Sequence, residues 1–325
     1  MSLLYPRASA IVLLVTLAGC AHLGLASKAP METKKDQKIT SSLAHPSTEF
    51  PIVDNEEVRE DLEKVLQSPH SVRRWLAIAA RYAPLMRGIF RDYGVPEDLF
   101  YVAILESGFD PNAISTKEAA GPWQFVPSTA KKMGMRIDEW VDERRDFEKS
   151  TVFAARYFAS LYASFNDWHL ALAGYNCGGA PVRSALKVCG KVSLWQMEEQ
   201  GRLSFQANSY VPRVIALVMI LKDPVKYGFA PPENVRPFMF DRITVPGGVP
   251  LSIVTKTIGV REKELRAMNP ELLRGKTPPD ASSYEIKIPP GKKLLFLKKF
   301  PDELSRYRII IDIGGVKMKK PGKYM

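Results

Sequence analysis

The sequence predicts a mostly α-helical domain over residues 55–230, followed by a small α+β domain over residues 231–325. Apolar residues recur at helical spacing from Glu56 to about Phe229, with few alternating runs to compete. Past a break at Gly228–Pro232 the pattern changes to strand, helix, helix and strand within about fifty residues. With 46% hydrophobic and 25% charged residues in a chain of 325, there is material for a substantial core.

The N-terminus carries Arg7 and then a short apolar stretch, Ala8–Ala18, which is too short to span a bilayer and has the build of a signal-peptide core. The stretch ends in Leu17-Ala18-Gly19-Cys20, which resembles a bacterial lipobox. That resemblance implies cleavage after residue 19, lipidation of Cys20 and attachment to a membrane through acyl chains. Ala21, where Asp would retain the protein at the inner membrane, favours the periplasmic face of the outer membrane of a Gram-negative bacterium. An ordinary signal peptide with an incidental cysteine is the alternative. Residues 20–54 are rich in Lys, Ser, Thr and Pro and read as a flexible tether.

Within the helical domain, Val58, Leu62 and Val65 share one helix face, and Trp75, Ile78, Ala79 and Tyr82 share the next. Pro96 opens a helix running from Leu99 to Ser107, Ser150–Phe165 is an alanine-rich core helix, and Trp168–Tyr175 and Val211–Leu221 follow. In the small domain, Phe238–Val245 reads as a strand and Leu251–Ile258 as a helix. A second helix runs through Arg266 to a stop at Asn269-Pro270, and Tyr284–Ile288 returns as a strand. The β-branched run Tyr307–Ile313 predicts one more strand. From Lys292 to Met325 there are ten basic against three acidic residues, whereas the middle of the chain is close to balanced. That balance argues against a nucleic-acid-binding face there. With four histidines and no CxxC spacing, the sequence calls for neither a metal nor a cofactor.

Glu106 breaks the pattern. It shares a helix face with Leu99, Val102 and Ala103, so a carboxyl group occupies a position that periodicity assigns to the core. It also sits at a helix C-terminus, just before Gly108, where the backbone dipole is negative. Desolvation and the dipole both disfavour ionisation, which suits the group to act as a general acid near neutral pH. A buried glutamate that merely pairs with a neighbouring arginine is the ordinary alternative.

Four ordered blocks weigh against that alternative. Glu106-Ser107-Gly108-Phe109 with Asp110-Pro111 and Ser115 is followed by Gly121-Pro122-Trp123-Gln124-Phe125. Ala173-Gly174-Tyr175-Asn176-Cys177-Gly178 and Tyr210-Val211-Pro212 come next. Residues 55–230 therefore resemble the family 1 soluble-type lytic transglycosylases, most closely their membrane-bound murein transglycosylase D group. The resemblance implies a lysozyme-like α+β fold and Glu106 as the acid/base. It implies Ser115, Gly121, Gln124, Tyr175, Asn176 and Tyr210 as residues lining a cleft for peptidoglycan glycan strands. Trp123 and Phe125 are open to packing or to sugar stacking. Asp110, ahead of Pro111, reads as a turn residue. Gln206-Ala207 stands where the family usually carries a Glu-Thr pair.

By the same resemblance one carboxyl group suffices to cleave the bond between N-acetylmuramic acid and N-acetylglucosamine without water, leaving a 1,6-anhydro end. A goose-type lysozyme-like hydrolase and a non-catalytic wall-binding lipoprotein are the alternatives. Residues 245–288 are distantly similar to LysM modules, which grip N-acetylglucosamine chains, although a purely structural appendage fits the same pattern. In an oxidising compartment Cys177 and Cys189, twelve residues apart, are open to a disulfide or to two buried thiols. The sequence does not speak to oligomeric state.

Overall fold

The structure, a computed structural model, describes residues 49–190, 192–202 and 205–313. The expected signal peptide, Cys20 and nearly all of the expected tether lie outside the described residues.

Two long helices open the fold. Glu56–Leu66 begins at Asn55, whose side chain accepts from the Val58 amide, and carries Glu56 and Glu57 in its first turn. Pro69–Asp92 has proline at its first position, where the missing N–H costs nothing, and buries Val72, Leu76, Ala79, Met86 and Phe90 along one stripe. Phe147–Phe165 starts on Asp146, which accepts from the amides of both Glu148 and Lys149, and ends at Asn166 with positive φ. Trp168–Cys177 starts on Asp167 and is buried nearly all round, as expected for a central helix. Phe205–Lys222 packs against it and against Glu56–Leu66.

These helices enclose one large core. Trp123, Phe90 and Phe158 are fully buried at its centre. The Phe90 ring lies 5.5 Å from Trp123, and Phe158 stacks on Tyr175 at 4.6 Å. The Trp123 indole N–H donates to Thr151 Oγ1 at 2.9 Å, which satisfies the one polar atom the ring brings inside. Packing thus accounts for Trp123, and Phe125 is buried as well.

Beyond Gly228 the chain runs back along the second helix, where the Phe238 amide donates to the Arg81 carbonyl at 2.8 Å. Strand Asp241–Pro246 then pairs antiparallel with Ser283–Ile288, from Asp241 opposite Ile288 to Pro246 opposite Ser283. Helices Leu251–Ile258 and Glu262–Met268 lie between the strands in sequence. Ile243, Val245, Ile286 and Ile288 face a second core with Leu251, Val254, Ile258, Leu265, Phe296 and Phe300. Val141, from a loop of the helical part, also belongs to that second core.

The structure overturns one expectation, adds elements where none was assigned, and decides between the two readings of the cysteines. Residues 307–313 continue a helix, Lys293–Ile313. β-branched residues fit strands only where a sheet offers a partner, and here Phe296 and Phe300 pin the helix to the second core. Short helices Pro127–Lys132, Gly179–Cys189 and Leu194–Glu199 arise in segments to which the periodicity assigned no element. Cys177 and Cys189 are free thiols. They flank the eleven-residue helix Gly179–Cys189. Such a helix is about 16 Å long, more than twice the Cα separation a disulfide spans, so that bridge would require unwinding it.

Candidate active site

Glu106 lies in the last turn of a six-residue helix, Val102–Ser107, reached through a 3-10 turn at Glu97–Tyr101. Val102, Ala103 and Ile104 root that helix in the core. The helix then stops abruptly. Gly108 and Phe109 both take φ of 63°, and their amides donate back to the carbonyls of Ile104 and Ala103. Ser107 fastens the exit, donating to the Pro122 carbonyl at 3.0 Å and accepting from the Asp110 amide at 3.1 Å. Asp110 is exposed and accepts from the Asn112 amide at 2.8 Å, so this carboxylate serves the turn.

Tyr210, from the helix Phe205–Lys222, donates its hydroxyl to Glu106 Oε1 at 2.5 Å. Burial raises the Glu106 carboxyl above the usual carboxylate range, and the hydrogen bond from Tyr210 offsets only part of that rise. Burial raises the Tyr175 and Tyr210 hydroxyls well above the ordinary phenol range, and the charge of Glu106 adds to both shifts. Both tyrosines are therefore protonated donors beside the carboxyl group. Tyr175 directs its hydroxyl to the Trp123 carbonyl at 2.7 Å, tying the central helix to the loop that follows Gly121. Asn176, the next residue, is half-buried in the last turn of the same helix.

The loop 113–125 forms another side of the site. Ile114 bridges Ala120, and Ala120 bridges Phe125. Gln124, at φ 50°, turns its amide onto the carbonyls of Gly121 and Ala113 at 3.0 and 3.3 Å. Ser115 Oγ accepts from the amides of Lys117 and Ala119, so this hydroxyl builds the turn it belongs to. Gly121 has φ of 77°, and a Cβ there would lie 1.9 Å from the Arg144 carbonyl oxygen.

Arg144 is a positioning residue that periodicity does not disclose. Its buried guanidinium pairs two-pronged with Asp142 at 2.9 Å. The remaining nitrogen donates to the carbonyls of Glu118 and Phe125, clamping both ends of the loop segment that holds Gly121 and Gln124. The sequence signal for it was only a charged triplet, Glu143-Arg144-Arg145. Gln206 falls within the helix that bears Tyr210, and its side chain lies outside the described ones.

Part of the chain is similar to known proteins. Residues 88–197 match the family model described as the transglycosylase SLT domain. The membrane-bound lytic murein transglycosylase D of Escherichia coli strain K12 is 30% identical over 223 residues, covering 67% of this chain and 48% of that protein. The protein of the same description in Escherichia coli O6:H1 gives the same figures. The chain thus spans about half the length of the curated relatives it matches. Among solved structures, the lytic transglycosylase Slt of Pseudomonas aeruginosa is 21% identical with a TM-score of 0.37, covering 48% of this chain and 26% of that one. Glu106, the glycine-glutamine loop and Tyr175 all fall inside the matched segment, and the chain carries a transglycosylase SLT domain.

Proposed function

We propose that the protein is a peptidoglycan lytic transglycosylase in which Glu106 works alone, first as acid and then as base. The observation that carries this is the half-buried Glu106 carboxyl, raised by desolvation and touched by a neutral donor, Tyr210. Burial and that hydrogen bond account for the shift without a second carboxylate. A hydrolase of the usual kind needs a second carboxylate to activate water or attack the sugar.

In the proposed reaction the Glu106 proton passes to the oxygen between C1 of N-acetylmuramic acid and the next N-acetylglucosamine. The C1–O bond breaks with both electrons leaving on that oxygen. The C6 hydroxyl of the same muramic residue then attacks C1, and its proton returns to the Glu106 carboxylate. Atoms balance without water, and the product is a 1,6-anhydromuramic end. Tyr210 holds Oε1 in place, and Tyr175, Asn176, Gln124, Gly121 and Ser115 shape the surrounding cleft.

Mass spectrometry of digested sacculi tests this directly. Anhydro ends are expected from the wild type, and about 10²–10⁴-fold more slowly from Glu106→Gln. Reducing ends alone would show a hydrolase, and equal digestion by both proteins would remove Glu106 from the chemistry.

The Cys20 motif supports a lipid-anchored protein at the periplasmic face of the outer membrane. Globomycin-sensitive processing and [3H]palmitate labelling, both lost in Cys20→Ser, are the expected results. We read the C-terminal strand–helix–helix–strand unit as LysM-like in order and structural in role. Lys287 of its second strand is buried and pairs with Asp146, the residue that caps the helix Phe147–Phe165.

A further inference from the structure

The C-terminal helix Lys293–Ile313 has two apolar faces, although a helix at the edge of a soluble domain needs only one. Its inner face is settled. Phe296 and Phe300 stack at 4.4 Å inside the second core, and the helix packs on Leu251–Ile258. Asp241 caps its start, accepting from the amides of Gly291 and Lys293.

The outer face is unusual. Leu294 is 81% exposed and Leu297 57%, and the two stand three residues apart, hence side by side. Pro301, one turn further, extends the same strip and is also exposed. Exposed Lys293 and Lys298, each four residues from one of the leucines, border it, with exposed Asp302 beyond Lys298. Glu303, a nearby carboxylate on the helix, is already engaged by Lys256 and Arg306. Two lysines against one aspartate leave the rim of this strip net basic.

An apolar ridge rimmed by lysines matches the order of a bilayer surface, with acyl chains beneath anionic headgroups. A carbohydrate or a wall carboxylate would leave the leucines without a partner, whereas an apolar protein groove would leave the lysines without one. We propose that the helix Lys293–Ile313 is an interfacial membrane contact, lying flat on an anionic phospholipid surface with Leu294 and Leu297 in the headgroup–acyl boundary. This contact is separate from any anchor at Cys20 and does not depend on the transglycosylase reading. Together with an N-terminal anchor it would hold the protein at two points, fixing how the domain faces the membrane.

Tryptophan quenching by brominated lipid tests the contact in the full chain. Leu297→Trp places a reporter on the ridge, and the wild-type protein, with every native tryptophan and the same N-terminus, serves as the blank. Leu294→Trp repeats the measurement independently, and an unchanged circular-dichroism spectrum and melting temperature certify that each variant is folded. With vesicles of brominated phosphatidylcholine and phosphatidylglycerol, quenching above the blank is expected. Adding Lys293→Glu and Lys298→Glu should weaken it tenfold or more, as should high salt. No quenching above the blank at either position would overturn the proposal. So would equal quenching on purely zwitterionic vesicles, because the lysine rim would then play no part.

Discussion

At the scale of single residues, the site turns on the contact between Tyr210 and Glu106. The hydrogen bond works against desolvation, since a phenol donor stabilises the carboxylate more than the acid. Tyr210→Phe removes that donor, so the Glu106 pKa should rise further. The alkaline limb of the kcat/KM profile should then move to higher pH even as kcat falls, because the acid stays protonated longer but is less well held. A limb that stayed in place would mean that Tyr210 does not tune the acid. Glu106→Gln should lower turnover by about 10²–10⁴-fold, the range for a lost general acid. It should also stabilise the fold. A carboxyl whose folded pKa lies above its unfolded value loses stability as pH rises between the two values, and a neutral amide does not. Thermal unfolding should show Glu106→Gln level with the wild type near pH 4 and more stable at pH 7.

At the scale of elements, the loop 113–125 is held by contacts that leave little trace in the sequence. Gly121 needs both its positive φ and its missing Cβ, so Gly121→Ala should cost at least about 2 kcal/mol and much of the activity. Arg144→Lys retains the charge but loses the fork that binds Asp142 while reaching Glu118 and Phe125. Its expected signature is a kcat loss well beyond the change in melting temperature, because the loop would persist in the wrong place. The major helices were legible because the 3.6-residue period reports burial directly. Glu106 was legible as a charge on an apolar face, and its blocks by resemblance. Arg144 was not, because its partners are backbone carbonyls nineteen and twenty-six residues away in sequence. The run Tyr307–Ile313 misled because side-chain branching reports strand preference, whereas the outcome depended on Phe296 and Phe300 in the preceding turns. The two cysteines stayed open between a disulfide and free thiols because sequence spacing does not show that a helix separates them.

At the scale of the whole molecule, a buried charge cluster joins the C-terminal strands to the helical part. Lys287 Nζ meets Asp146 at 2.5 Å, and Asn269 ties Lys287 in place through its backbone N–H and carbonyl. The Asp142 amide donates to the Glu271 carbonyl, and Arg242 reaches Glu148. Burial opposes ionisation of Asp146, but the ammonium groups of Lys287 and Lys149 outweigh it and hold this carboxyl below its usual range. Lys287→Met would leave Asp146 buried without its partner, a change that typically costs about 3–5 kcal/mol. Because Asp146 also caps the helix Phe147–Phe165, the loss should register in both halves of the molecule as one lowered transition. Glu271 is the weak member of the cluster. Burial, with the charge of Asp146 adding to it, pushes this carboxyl up to about 7, and its Oε2 has no hydrogen-bond partner among the described residues. A folded pKa near 7 against an ordinary value of 4.5 means that the folded state holds its proton longer. Its contribution is therefore complete below about pH 4.5 and is lost as pH climbs to 7. Glu271→Gln cannot lose a proton, although its amide would be as poorly partnered as the acid. The absolute melting temperature of the variant thus carries two opposing effects, and its difference from wild type across pH isolates one of them. That difference should grow in favour of the variant from pH 4.5 to 7 and then level off, approaching at most about 3 kcal/mol for a shift of this size. A difference that stayed flat across this window would mean that Glu271 titrates normally and that the junction is not sensitive to pH in the neutral range.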